Sequence, residues 1–219
     1  LFDTINDTSK RDEASPIMEM KYNRSEVYNK KIKNLSKVIS GIGFEETKTL
    51  PTIVGLCEVE NKNVVEDLIN SDLLKNANYG ISHFDSPDER GIDVALIYRK
   101  KMFKILNENS AYLELKYASG KINYTRDQLV VEGVLENEKI YIIVNHWPSR
   151  SGGELGSRPY RNKAAELNMY IIDSIQSINK NAKIITMGDF NDDPTNESIK
   201  KILGAKDSRN NLKNSDLYN

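Results

Sequence analysis

Three separated apolar runs, each ending in polar residues, constrain this chain most. They are Pro51-Thr-Ile-Val-Gly-Leu-Cys-Glu58, Ile142-Ile-Val-Asn-His146 and Ile184-Ile-Thr-Met-Gly-Asp189. All are short and rich in β-branched residues, the pattern of buried strands rather than helices. Between and around them lie longer stretches with helical spacing. Apolar residues at Val27, Ile32, Leu35, Val38 and Ile39 predict a helix over 24–40, stopped by Gly41 and Gly43. Asn61 is placed to cap a second helix carrying Val64, Val65, Leu68 and Ile69. A long helix is expected over 159–177 and a short one over 196–203. Further strands are expected over 79–84, 92–98, 102–107, 128–135 and 139–145, with a hairpin around Asn137-Glu138. Strand–helix alternation at both ends, with hairpins between, predicts an α/β domain of mixed sheets covered by helices.

Composition narrows the chemistry. The 219 residues carry 31 Lys and Arg against 32 Asp and Glu, a formal net charge of −1. No global basic field marks a nucleic-acid binder, so any polyanion site must be local. No apolar run reaches the length of a membrane span. A single cysteine, Cys57, excludes an internal disulfide and a cysteine-rich zinc site. With two histidines, His83 and His146, a bound metal is expected to sit mainly on oxygen ligands. That favours Mg²⁺ or Mn²⁺, with Ca²⁺ as an alternative.

Four segments carry candidate chemistry. Asp189 and Asn191 follow a buried strand at the edge where open α/β sheets bind ligands. Being two residues apart on extended chain, they can point the same way. Glu58 ends another apolar strand, either facing solvent or retained for a metal. His146 ends a third and can exchange a proton with a phosphoryl oxygen or leaving group. After it come Arg150, Arg158 and Arg161, whose forked donors suit phosphate oxygens. Asp93 lies inside an apolar strand and needs a partner: it either pairs with an arginine such as Arg126 or faces the catalytic pocket. Taken singly, each segment also fits a plainer account: a solvated turn, a surface acid, a surface histidine beside a basic loop.

Taken in order, these segments resemble the endonuclease/exonuclease/phosphatase family of deoxyribonuclease-like enzymes, abasic-site endonucleases, sphingomyelinases and inositol polyphosphate phosphatases. Leu1-Phe-Asp-Thr4 is similar to the residues just after that family's first strand. Glu58 matches its metal-binding glutamate, and Arg90-Gly-Ile-Asp-Val-Ala-Leu-Ile-Tyr98 a characteristic strand. His146 matches its active-site His or Tyr, and Asp189 with Asn191 its Asp-x-Asn pair. The His-Trp-Pro-Ser-Arg loop resembles a bacterial nuclease-like branch. The resemblance implies a four-layer sandwich of two mixed β-sheets flanked by helices, deoxyribonuclease-like. It implies hydrolysis of phosphodiester bonds, with nucleic acid, DNA or RNA, as the expected substrate. A phosphatase or a phospholipid or sphingolipid phosphodiesterase is the alternative within the fold, and an inactive binding domain the alternative outside it. Glu58 is expected to hold the metal, and His146 to neutralise charge on the non-bridging oxygens. Asp189 and Asn191 are expected to orient water or phosphate. Arg150, Arg158, Arg161, Arg126 and Asp93 are the substrate-binding candidates. The family pattern also carries an asparagine ahead of Leu1 and a terminal Asp-His pair, whereas no His follows Asp216. The expectation is a single domain over 1–219, truncated at both ends and lacking its N- and C-terminal strands.

Overall fold

The computed structural model describes residues 1–8, 10–11, 15–210, 212–213 and 216–219. Among the described residues, seven strands form two sheets. In the first, β1 (Ile53–Val59) pairs antiparallel with β3 (Asp93–Arg99), which pairs antiparallel with β2 (Tyr79–His83). The second has the order β4 (Phe103–Ala111), β5 (Gln128–Leu135), β6 (Glu138–His146), β7 (Lys183–Asp189). Its last pair is parallel and its others antiparallel, so this sheet is mixed. The β5–β6 hairpin turns at Glu136 and Asn137, both with positive φ (47° and 71°), as a two-residue turn between twisted strands requires.

The sheets pack face to face. Val94 and Leu96 of β3 meet Leu129 and Val131 of β5, and Ile140, Ile142 and Val144 of β6. Helix α1 (Arg24–Gly41), the single turn α2 (Phe44–Thr47) and α3 (Lys62–Ile69) belong to the side of the first sheet. There Ile32, Ile39, Val64, Val65 and Leu68 cluster with Ala95 and Ile97. Helix α4 (Glu154–Ile178) covers the second sheet through Ile171 and Ile172 against Val130 and Ile143. The result is the expected four layers: helices, sheet, sheet, helix. No helix among the described residues is long and apolar enough to cross a membrane.

Differences from the expected elements have local causes. In α1 the inward stripe runs through Ile32, Ser36 and Ile39, and Val38 is 63% exposed, because a 3.6-residue period turns it away from the sheet. Helix α4 starts at Glu154 rather than at Pro159. Ser157 Oγ bonds the Gly153 carbonyl at 2.7 Å and Arg161 reaches back to the Glu154 carbonyl at 3.4 Å, stitching a first turn ahead of the proline. The expected helix near 196–203 is a five-residue π-helical turn, Ser198–Ile202.

The β6–β7 pair is tight where it matters. The register sets Asn145 opposite Gly188 and His146 opposite Asp189. Gly188 has φ +131°, and a Cβ there would lie 2.0 Å from the Asn145 carbonyl oxygen. Glycine is required for both reasons. We expect Gly188→Ala to destabilise the protein by at least about 3 kcal/mol, because the clash is with backbone that cannot rotate away. Denaturant melts of the variant and the parent check this; equal midpoints would refute the packing described.

Candidate active site

Strands β1, β6 and β7 deliver Glu58, His146 and Asp189 to one edge of the sandwich. Glu58 occupies a bulge: the β1–β3 register shifts between Cys57 and Val59, and Glu58 takes φ +57°. Bulges re-aim a side chain at sheet edges, and a left-handed glutamate is uncommon. Its carboxylate is exposed, with no hydrogen bond or ion pair among the described residues. The Leu1 backbone nitrogen donates to the Glu58 carbonyl, and the Glu60 N–H donates to the Leu1 carbonyl at 3.1 Å. Leu1 thus runs alongside the end of β1. Cys57, one residue before, donates its thiol to the Asn145 carbonyl at 3.2 Å and bridges the two sheets. Burial raises the thiol's pKa above its ordinary value, so Cys57 is not a ready nucleophile.

His146 is 6% exposed. Its Nε2 lies 4.0 Å from Asp189 Oδ2, beyond hydrogen-bonding reach, and its buried Nδ1 has no partner among the described residues. Burial first, then the positive charge of Arg126, depresses its pKa to about 4, against the opposing pull of Glu58 and Asp189. The imidazole is therefore neutral at pH 7. In this state His146 can donate one hydrogen bond.

Asp189 and Asn191 come together as expected. Asp189 Oδ1 accepts the Asn191 N–H at 2.9 Å, and Asn191 takes φ +51° in the turn that follows. The Asn191 amide donates to the Trp147 carbonyl at 2.9 Å, and the Trp147 N–H donates to the Asp189 carbonyl at 2.9 Å. Arg126 Nη2 reaches the same Trp147 carbonyl at 2.7 Å. The Trp147 ring is buried edge-on against Phe190, with centroids 4.8 Å apart. One backbone carbonyl therefore ties the loop after β6 to the loop after β7 and to Arg126.

The arginines are each engaged within the protein. Arg161 is fully buried, 2.6 Å from Asp192 Oδ1, with further bonds to Ser157 Oγ and the carbonyls of Ser149 and Glu154. It cannot reach a substrate, and its role is to clamp the 190–194 loop to α4. Arg150 bonds the Asn191 carbonyl and the Asp193 carboxylate, both at 2.9 Å, and so braces the same loop. Arg158 forms a two-pronged pair with Glu154 at 2.9 Å per contact. Asp93 is buried with its Oδ2 3.3 Å from His83 Nε2, rather than beside Arg126. Arg126 instead pairs with Asp88 at 3.1 Å. Burial opposes the Asp88 charge, but Arg90 and Arg126 outweigh it and hold its pKa below the usual range.

Two features were not anticipated. Arg90, half exposed beside Asp88, acts electrostatically on His146 and lines a cavity of about 380 Å³ together with Glu58. Its signal in the sequence is a charged turn, Asp88-Glu-Arg-Gly91, which reads as ordinary surface. Beneath the site lies a buried amide network. Asn145 Oδ1 accepts from Trp147 Nε1 at 3.0 Å and from Asn168 at 2.9 Å, while Asn168 also donates to Gln128 at 3.0 Å. Thr186 bonds both Asn145 and Asn168. An asparagine within an amphipathic helix looks solvent-facing, so Asn168 left no cue.

Comparison with known proteins places the chain. A family model described as Endonuclease/Exonuclease/phosphatase family matches residues 1–219. The chain belongs to that family. Among solved structures, similar folds include D. rerio TDP2 humanized by 14 mutations, at 16% identity and TM-score 0.56, covering 81% of this chain and 61% of that one. D. rerio TDP2 complexed with a single-strand DNA product is 15% identical, TM-score 0.54, covering 80% and 58%. A Bacteroides thetaiotaomicron mannosyl-6-phosphatase is 14% identical, TM-score 0.54, covering 81% and 62%. The chain thus spans about three fifths of the length of these structures. No curated protein sequence matches it.

The His146 environment makes a pH prediction. Between pH 6.5 and 4 the unfolded chain binds a proton at this histidine and the folded chain does not, so stability falls as pH drops through that window. Its full size is on the order of 3 kcal/mol. His146→Asn should flatten this part of the stability–pH curve, measured by urea unfolding at pH 7, 5.5 and 4.5. An unchanged slope in the variant would place the titrating group elsewhere.

Proposed function

We propose that this chain is the catalytic core of a divalent-metal-dependent phosphodiesterase that cleaves nucleic acid. The observation that carries this is the meeting of Glu58, His146, Asp189 and Asn191 at the carboxyl ends of β1, β6 and β7. The donor set fits Mg²⁺ or Mn²⁺: Glu58 offers an unpaired carboxylate aimed outward by a bulge, in a site of oxygen donors. A bound ion would polarise the phosphoryl group and stabilise the leaving oxyanion, with Glu58 holding it. Asp189, whose Oδ2 faces His146, would accept a proton from the attacking water. Asn191, fixed by Trp147, would orient a phosphate oxygen. His146, neutral, would donate a hydrogen bond to a non-bridging oxygen as charge builds there. Arg90 is our candidate for a neighbouring phosphate. The apolar wall of its cavity, including Ile17, Met20 and Ile92, would take the organic part of the ester. The similar fold of a TDP2 complexed with single-strand DNA product supports a polynucleotide.

A second reading, phosphomonoester hydrolysis, is favoured by the arginines. Arg150, Arg158 and Arg161 are all ion-paired within the protein, which weakens the case for a long polyanion track. The similar fold of a mannosyl-6-phosphatase is consistent with it.

In the full-length protein, Glu58→Gln should lower kcat/KM at least about a hundredfold, a loss of about 3 kcal/mol of transition-state stabilisation, and chelator should abolish activity. Chelator-resistant turnover, or a fully active Glu58→Gln protein, would overturn the metal assignment. Arg90→Ala should raise KM for single-stranded DNA more than for bis(p-nitrophenyl) phosphate, and flatten the salt dependence of DNA binding by about one unit of slope. Arg158→Ala should change neither. Rapid turnover of a sugar phosphate, with none of DNA or RNA, would hand the assignment to the second reading.

A further inference from the structure

We propose that His83, Asp85 and Asp93 form a second divalent-cation site, separate from Glu58, that takes a nitrogen-accepting ion such as Zn²⁺ and ties down the 84–92 loop. The three residues each offer one ligand atom, and these atoms all lie within 4.8 Å of one another. Glu58 is not part of the group.

The geometry around His83 carries the argument. Its side chain is 4% exposed, as is that of Asp93. Nε2 stands 3.3 Å from Asp93 Oδ2, yet among the described residues it makes no hydrogen bond to that oxygen or to any other atom. An imidazolium–carboxylate pair would direct the N–H along the line to the oxygen, typically at about 2.7–2.9 Å. Two ligands of one ion behave differently. Each lies about 2.0–2.2 Å from the metal, and at a tetrahedral angle their separation is about 3.3 Å, with both lone pairs aimed between them. The observed spacing and the off-line nitrogen match the second arrangement.

Charge points the same way. A carboxylate as buried as Asp93 needs a countercharge. Its Oδ1 accepts the Ser86 N–H at 2.9 Å, but no lysine or arginine pairs with Asp93 or Asp85 among the described residues. Lys10 comes near, and its ammonium bonds the Ser86 carbonyl at 3.2 Å instead. One imidazole with two carboxylates suits Zn²⁺ better than Mg²⁺, which prefers oxygen donors and retains its water.

The site would matter to the catalytic edge through the chain it fastens. Asp85 and Asp93 bracket a loop carrying Asp88 and Arg90. Asp88 holds Arg126, which reaches the Trp147 carbonyl next to His146. Fixing both ends of the loop therefore fixes the cations that set the field on His146.

The test is equilibrium dialysis of Zn²⁺ with the full-length protein in excess Mg²⁺, read without substrate. Wild type should retain one Zn²⁺. Asp85→Asn, at an exposed position that leaves the fold intact, should weaken it by at least about tenfold. Glu58→Gln should leave it unchanged. With two histidines in the chain, imidazole NMR separates the sites: Zn²⁺ should shift the ring signals of His83 and not those of His146. An inactive protein that binds Zn²⁺ through Asp85 still supports this site, so the proposal stands or falls apart from the catalytic one. No retained Zn²⁺, an Asp85→Asn affinity equal to wild type, or a shift at His146 alone would overturn it.

Discussion

The parallel contact between β6 and β7 is the constraint on which the rest of the site depends. Glycine at 188 lets the backbone of β7 approach the Asn145 carbonyl closely enough for His146 and Asp189 to stand side by side. The same Asn145 carbonyl also receives the Cys57 thiol, so β1 is registered against the pair from the facing sheet. The side-chain amide of Asn145, wholly buried, is saturated by Thr186, Trp147 and Asn168. Unpaired, such an amide would cost about 1–3 kcal/mol. Paired, it fixes the ends of β6 and β7 relative to one another.

Charge is used as mechanical bracing around this core. The 149–161 segment and the 190–194 loop are joined by Arg150 and Arg161, whose guanidinium groups bond Asp192, Asp193 and the Asn191 carbonyl. The buried Arg161–Asp192 pair is not a large net source of stability, since desolvation offsets most of its attraction. Its value lies in geometry. Asp192 is also bonded by Ser198 at 2.6 Å, so the loop is held from both sides and Asn191 keeps its left-handed turn.

The layers, and the meeting of Glu58, His146 and Asp189 at one edge, were legible in the sequence because each rests on a local pattern. The apolar runs ending at Glu58, His146 and Asp189 state both a strand and its exit, and Asn61 caps α3 through its side chain as its type implies. The arginine roles were not legible. A basic segment has the same sequence whether it faces a ligand or folds back on Asp192, and that choice is made by residues thirty positions away. Asp93 was similarly ambiguous: its sequence context calls for a partner, but β2 and β3 select His83 by pairing His83 with Ala95, two residues along from Asp93. Long-range pairing also hides the amide network, since Gln128, Asn145 and Asn168 come from three elements.

The competition at His146 shows which force sets the chemistry of the edge. Two carboxylates, Glu58 and Asp189, favour the imidazolium; burial and Arg126 oppose it, and the opposing pair wins. The margin is large because the ring is enclosed while Asp189 is more than half exposed and screened by water. A divalent cation at Glu58 would cancel one of the two favourable charges and add positive field, moving the histidine further in the same direction. A metal at Glu58, as proposed above, would therefore act in the same direction as burial and keep His146 a neutral hydrogen-bond donor.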